Sequence, residues 1–130
     1  MAELRYRLVI DGTQTSGDFT DPDPTRDSGD VTIASLTGLA KMQLNVAATS
    51  TLDLDSALER AGVLKVQFLA IYSPTALFIS REGTASEEWE LAAGGWFMVH
   101  LTTNITDDIK IRNATGAAVV AEVYLGGLVV

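Results

Sequence analysis

Cysteine is absent from the chain. That excludes a disulfide scaffold, a thiolate zinc site, an iron–sulfur cluster and a cysteine nucleophile. Histidine is nearly absent: His100 is the only one, so no two-histidine metal site can form within one chain. Basic residues are few, nine against seventeen acidic, giving a net charge of −8. Such a surface repels phosphate backbones, and no direct nucleic-acid partner is expected. No run of about 18 uncharged apolar residues occurs, so no membrane-spanning helix is predicted. Glu3, Arg5 and Arg7 interrupt the apolar start that a secretion signal needs, so synthesis in a reducing cytoplasm is expected. Without secretion, the glycosylation patterns Asn104-Ile105-Thr106 and Asn113-Ala114-Thr115 read as chance matches.

What remains is 130 residues that are 47% hydrophobic and 20% charged, the composition of one globular domain spanning 1–130. The dominant period is two. Leu4, Tyr6, Leu8 and Ile10 alternate with charged or apolar neighbours, predicting one half-buried strand that Asp11-Gly12 ends. Residues 11–30 then carry Asp11, Asp18, Asp21, Asp23, Asp27 and Asp30 with Pro22 and Pro24, predicting a long acidic loop in which Phe19 is the one large apolar residue. Val31, Ile33 and Leu36 mark a second strand; Met42, Leu44 and Val46 mark a third; Leu52 and Leu54 mark a short fourth. Ser56 and Glu59 have capping-box spacing, predicting one short helix over 56–62 that ends at Gly62.

Strands then resume. Leu64, Val66, Phe68, Ala70 and Tyr72 share one face, which places Leu69 and Ile71 at outer positions facing a second layer or a partner. Strands follow around Leu77–Arg81, Trp89–Leu91, Ile109–Arg112 and Val119–Leu125. Gly94-Gly95 predicts a hairpin turn, and the apolar run from Trp96 to Leu101 predicts a central strand buried on both faces. Gly126-Gly127 frees an apolar tail, Leu128-Val129-Val130, at 126–130. About eight short strands with one short helix predict an all-β, jelly-roll-like β-sandwich.

Candidate chemistry is sparse. Asp21 and Asp23, with Asp18 or Asp27, can offer oxygen ligands to calcium, but the loop lacks the spacing of an EF-hand and reads as a solvated acidic segment. His100 lies in an apolar strand with no nucleophile elbow in the chain, so it reads as structural. Glu82, Glu87, Glu88 and Glu90 can suggest a glycosidase pair, but Glu88 and Glu90 alternate with Trp89 and read as a solvent face. Trp89, Trp96, Tyr72 and Phe97 can form a sugar-binding platform, but Trp96 and Phe97, being adjacent, point to opposite faces, and core packing is the favoured reading. No catalytic, cofactor or metal residue is expected, and the chain reads as a non-enzyme.

The closing third resembles small virion proteins of tailed bacteriophages. The resemblance rests on Leu91-Ala92-Ala93-Gly94-Gly95-Trp96-Phe97, on Ile109-Lys110-Ile111-Arg112-Asn113-Ala114-Thr115-Gly116, and on Val119-Val120-Ala121-Glu122-Val123-Tyr124-Leu125-Gly126-Gly127. Within that group the chain is most similar to capsid decoration (cement) proteins of jelly-roll type. The resemblance implies a dimer or trimer on the capsid surface of a virion, with the major capsid protein as partner. Neck, tail and head-fibre proteins share the same character, and a carbohydrate-binding β-sandwich is the alternative. Exposure and apolarity place the contacts at Leu4, Tyr6, Phe19, Leu69, Ile71, Leu128, Val129 and Val130.

Overall fold

The computed structural model describes residues 2–11, 25–36, 39–60, 66–81, 88–105 and 109–126. Phe19, Leu128, Val129 and Val130, the acidic stretch 12–24, Glu82 and Glu87 lie outside them. The described chain is all-β apart from one short helix. Its strands are β1 (Ala2–Tyr6), β2 (Val9–Asp11), β3 (Thr25–Asp27), β4 (Val31–Leu36), β5 (Leu39–Val46) and β6 (Ser50–Asp53). After α1 (Leu54–Arg60) come β7 (Val66–Tyr72), β8 (Leu77–Arg81), β9 (Trp89–Leu91), β10 (Trp96–Ile105), β11 (Ile109–Asn113) and β12 (Val119–Gly126).

Two four-stranded antiparallel sheets carry the core. Sheet I has the order β10-β7-β12-β5 and sheet II the order β6-β11-β8-β9. Four of the pairings are nested along the chain: β5 with β12, β6 with β11, β7 with β10, and β8 with β9. The strands of sheets I and II share one sandwich-like core. Val46, Ile71, Ala121 and Val123 come from sheet I, and Leu77, Ile79 and Ile111 from sheet II. Alternation explains this directly. Along β12, Val119, Ala121, Val123 and Leu125 are buried while Val120, Glu122 and Tyr124 keep solvent contact. Two small antiparallel sheets, β1-β4 and β2-β3, complete the description.

Several expectations change. The helix begins at Leu54 rather than Ser56, so Ser56 lies inside it and does not cap it. Asp53, a residue type favoured at the N-cap, immediately precedes it, and Leu54, Ala57 and Leu58 form its buried i, i+3, i+4 stripe. The first predicted strand divides at Arg7-Leu8 into β1 and β2. The end of the predicted acidic loop is ordered as β3, whose Asp27, Arg26 and Thr25 pair with Val9, Ile10 and Asp11. β10 is an edge strand, not a central one. The strand buried on both faces is β7, where Phe68, Leu69, Ala70 and Ile71 are 3%, 1%, 5% and 0% exposed.

Leu69 and Ile71 are therefore core residues, and their expected outer placement is corrected. They point between the sheets, while Phe68 and Ala70 take the outer face, where β1 lies over them. The Gly94-Gly95 turn joins β9 of sheet II to β10 of sheet I instead of closing a hairpin. Gly94 has φ +76°, and a Cβ on Gly95 would stand 2.9 Å from the Ala92 carbonyl oxygen, so each glycine answers a different constraint.

Candidate functional site

The outer face of sheet I gathers most of the aromatic residues. Register sets the arrangement: Trp96 is opposite Tyr72, Tyr72 opposite Glu122, and Glu122 opposite Gln43. In the next row Met98 faces Ala70, Ala70 faces Tyr124, and Tyr124 faces Lys41. The Trp96 ring lies 5.1 Å from Tyr72 and 5.7 Å from Tyr124, tilted by 41° and 36°. Ala70 permits this, because its short side chain leaves room above the middle strand. Trp96 is 57% exposed, whereas Phe97 packs on the core side, as their adjacency requires.

Polar groups stand beside the rings. The Tyr124 hydroxyl donates to Glu122 Oε2 at 2.9 Å, and Lys41 Nζ sits 3.7 Å from Glu122 Oε1 and 5.3 Å from the Tyr124 ring centroid. The Tyr124 hydroxyl and the Glu122 carboxylate hold the Lys41 ammonium above the usual lysine range.

β1 forms the opposite wall. Between it and sheet I runs a groove of about 360 Å³, with Leu4 and Tyr6 on one side, Trp96 and Tyr124 on the other, and Ala70 and Met98 among its lining. Tyr6 fixes the wall: its ring stacks on Phe68 at 5.6 Å and its hydroxyl shares a 2.8 Å hydrogen bond with His100 Nδ1. The two expected contact residues on β1, Leu4 and Tyr6, thus both meet this groove.

The β2–β3 hairpin is the second notable surface. Leu8, Val9 and Ile10 are consecutive and 51%, 60% and 60% exposed. Ser28 pins its base, donating its amide to the Leu8 carbonyl at 2.9 Å and accepting the Leu8 amide on Oγ at 2.9 Å. Arg7 and Asp27 form a bidentate ion pair. Arg7, with the Gly29 amide second, lowers the Asp27 pKa; Asp27 in turn raises that of Arg7.

The other expected residues are dispersed. Among the described residues no three of His, Asp and Glu cluster as metal ligands do. Glu88 is engaged by Arg112 Nε and an Arg112 terminal nitrogen at 2.8 and 2.9 Å, and Glu90 is exposed on β9. Trp89 lies 6.3 Å from Phe97, apart from the Tyr72–Trp96–Tyr124 group. The four aromatics weighed as a platform therefore divide in two, with Trp96 and Phe97 on opposite faces as their adjacency predicts.

Sequence reasoning missed Tyr124, Lys41 and Glu122. The alternation of β12 does place Glu122 and Tyr124 on one face, but the neighbouring strands that bring them to Trp96 have no local signature. The exposed run Leu8-Val9-Ile10 carried a usable signal, since three consecutive apolar residues break a period of two. No protein-family model matches the chain, and no curated protein matches it in sequence.

Proposed function

We propose that the chain is a structural virion protein of jelly-roll type, a capsid decoration protein that acts by binding rather than by catalysis. The jelly-roll reading is supported by the nested pairing, in which one long antiparallel ribbon with β8 and β9 at its tip is rolled into two sheets. The observation that carries the binding reading is the β2–β3 hairpin, which presents Leu8, Val9 and Ile10 to solvent on a clamped base. Exposed contiguous apolar residues on a small ordered element suit a docking arm. On a shell, many weak copies of such an arm reinforce one another. The net charge of −8 suits an outer position away from the genome.

The test is co-sedimentation of the purified full chain with capsids of its parent phage that lack it. Saturable binding at roughly micromolar concentration is expected, weakened at least about tenfold in V9D/I10D. Failure to bind at about 10 µM, or equal binding by the variant, would overturn the reading. Binding to isolated tails or necks instead would move the protein within the virion.

A further inference from the structure

The geometry points to a glycan-binding site on the outer face of sheet I, at Trp96, Tyr72 and Tyr124, for a neutral pyranose sugar. This goes beyond capsid attachment and rests on different anchoring residues, with Leu8 bordering both surfaces. Three features select the ligand class.

The first is the ring arrangement. Trp96 keeps 57% of its surface in solvent while contacting two tyrosines. The tilts of 41° and 36° mean that the three rings do not lie in one parallel stack. One face of a pyranose presents C–H bonds carrying partial positive charge, which suit the negative faces of such rings.

The second is the polar rim. Lys41 donates, the Glu122 carboxylate accepts, and Gln43, cross-strand from Glu122, does both. Sugar hydroxyls need donors and acceptors together at short spacing. A site of mostly apolar surface with a few convergent polar groups is the usual form of a small-ligand site.

The third is charge. Lys41 and Glu122 cancel locally, and the whole chain carries −8. Arg5 and Arg7 line the adjoining groove, but Glu3 and Asp27 pair with them, so the site offers an anionic sugar little net charge, and the molecule as a whole repels one. The adjoining groove of about 360 Å³ extends the surface toward β1, giving a chain of sugars a direction in which to run.

The chain has two tryptophans, so Trp89→Phe leaves Trp96 as the single tryptophan, excited selectively on the red edge where tyrosine does not absorb. That variant would be titrated with cellohexaose, maltohexaose, chitohexaose and mannohexaose, with sialyllactose as the anionic comparison. A saturable emission change with at least one neutral oligosaccharide is expected. By calorimetry, Trp96→Ala should weaken that binding at least about tenfold and Trp96→Phe less, because a ring face remains. An unchanged melting temperature establishes that Trp96→Ala is folded.

No saturation with any of the four, equal affinity in Trp96→Ala, or binding of sialyllactose alone would overturn the proposal. A fall in solution mass in Trp96→Ala would also overturn it, by making the patch a contact between copies. Capsid binding is expected to be unchanged in Trp96→Ala, so the two readings fail independently.

Discussion

Asn113 shows how much one side chain can organise. It is fully buried at the end of β11, and its Nδ2 donates to the carbonyls of Val46, Ala47 and Ala117 at 3.1, 3.3 and 2.8 Å. Its Oδ1 accepts from the Thr115 amide at 2.9 Å and the Thr115 hydroxyl at 2.7 Å. The same residue thus joins β11, the turn that follows it, and the end of β5. Thr49, at φ +52°, completes the junction by donating its amide to the Thr115 carbonyl at 3.0 Å. Asn113→Ala would take this donor from the buried Val46 carbonyl and release the turn held at Oδ1, and a loss of about 2–4 kcal/mol is expected in urea unfolding. Asn113→Asp should be no better, since a carboxylate cannot donate to those carbonyls and carries charge into a buried site. Asn113-Ala114-Thr115-Gly116 has the residue types that favour a turn. Nothing in them signals that the same asparagine reaches a strand more than sixty positions earlier in the chain. That burial also gives Asn113-Ala114-Thr115 a structural reason for being there, in place of chance.

Among elements, the edge of sheet II is tied down by charge. Arg112 on β11 lies over the Phe78 ring of β8, 4.2 Å from its centroid, and reaches Glu88, the residue immediately before β9. One guanidinium thereby spans three neighbouring strands, and the shortest of them, the three-residue β9, gains an anchor. Arg112 holds the Glu88 carboxyl below the usual glutamate range. The stabilisation is complete above the ordinary glutamate pKa of about 4.3 and is lost as pH falls through the lowered folded value. Urea unfolding between pH 7 and pH 3 should show the Glu88→Gln protein losing less stability on acidification than the native chain, with the difference confined to below about pH 5.

Most strands were legible because their partners' burial imposes a period of two. β7 was legible as a strand, but which of its faces holds the core was not, because apolar residues occupy both and parity alone cannot decide. β10 misled for a related reason. Trp96 and Met98 lie on an outer face shared with an aromatic patch and a groove, which makes an edge strand read like a central one. The candidate site was half legible: Trp96 and Tyr72 stand out as aromatics in strands, whereas Tyr124 and Lys41 join them only through the strand order.

At the scale of the molecule, the nested pairing decides how the chain must fold. Only β8 and β9 of the four nested pairs are close in sequence; β5 meets β12 with Leu39 opposite Gly126 and Val46 opposite Val119. Closing such distant pairs costs loop entropy before burial repays it. Refolding from urea, followed by stopped-flow fluorescence, is expected to take roughly milliseconds to seconds, and a microsecond phase carrying the full amplitude would contradict the nested order. The same pairing has a mechanical consequence. Leu39 and Gly126 are partners, so the start of β5 and the end of β12 lie at one pole, while Asn113 and its turn lie roughly 25 Å away at the other. Tension applied between Leu39 and Gly126 does not shear the β5–β12 ladder. It peels the two strands apart one pair at a time, as a zip opens, so these two ends are a weak place to carry load.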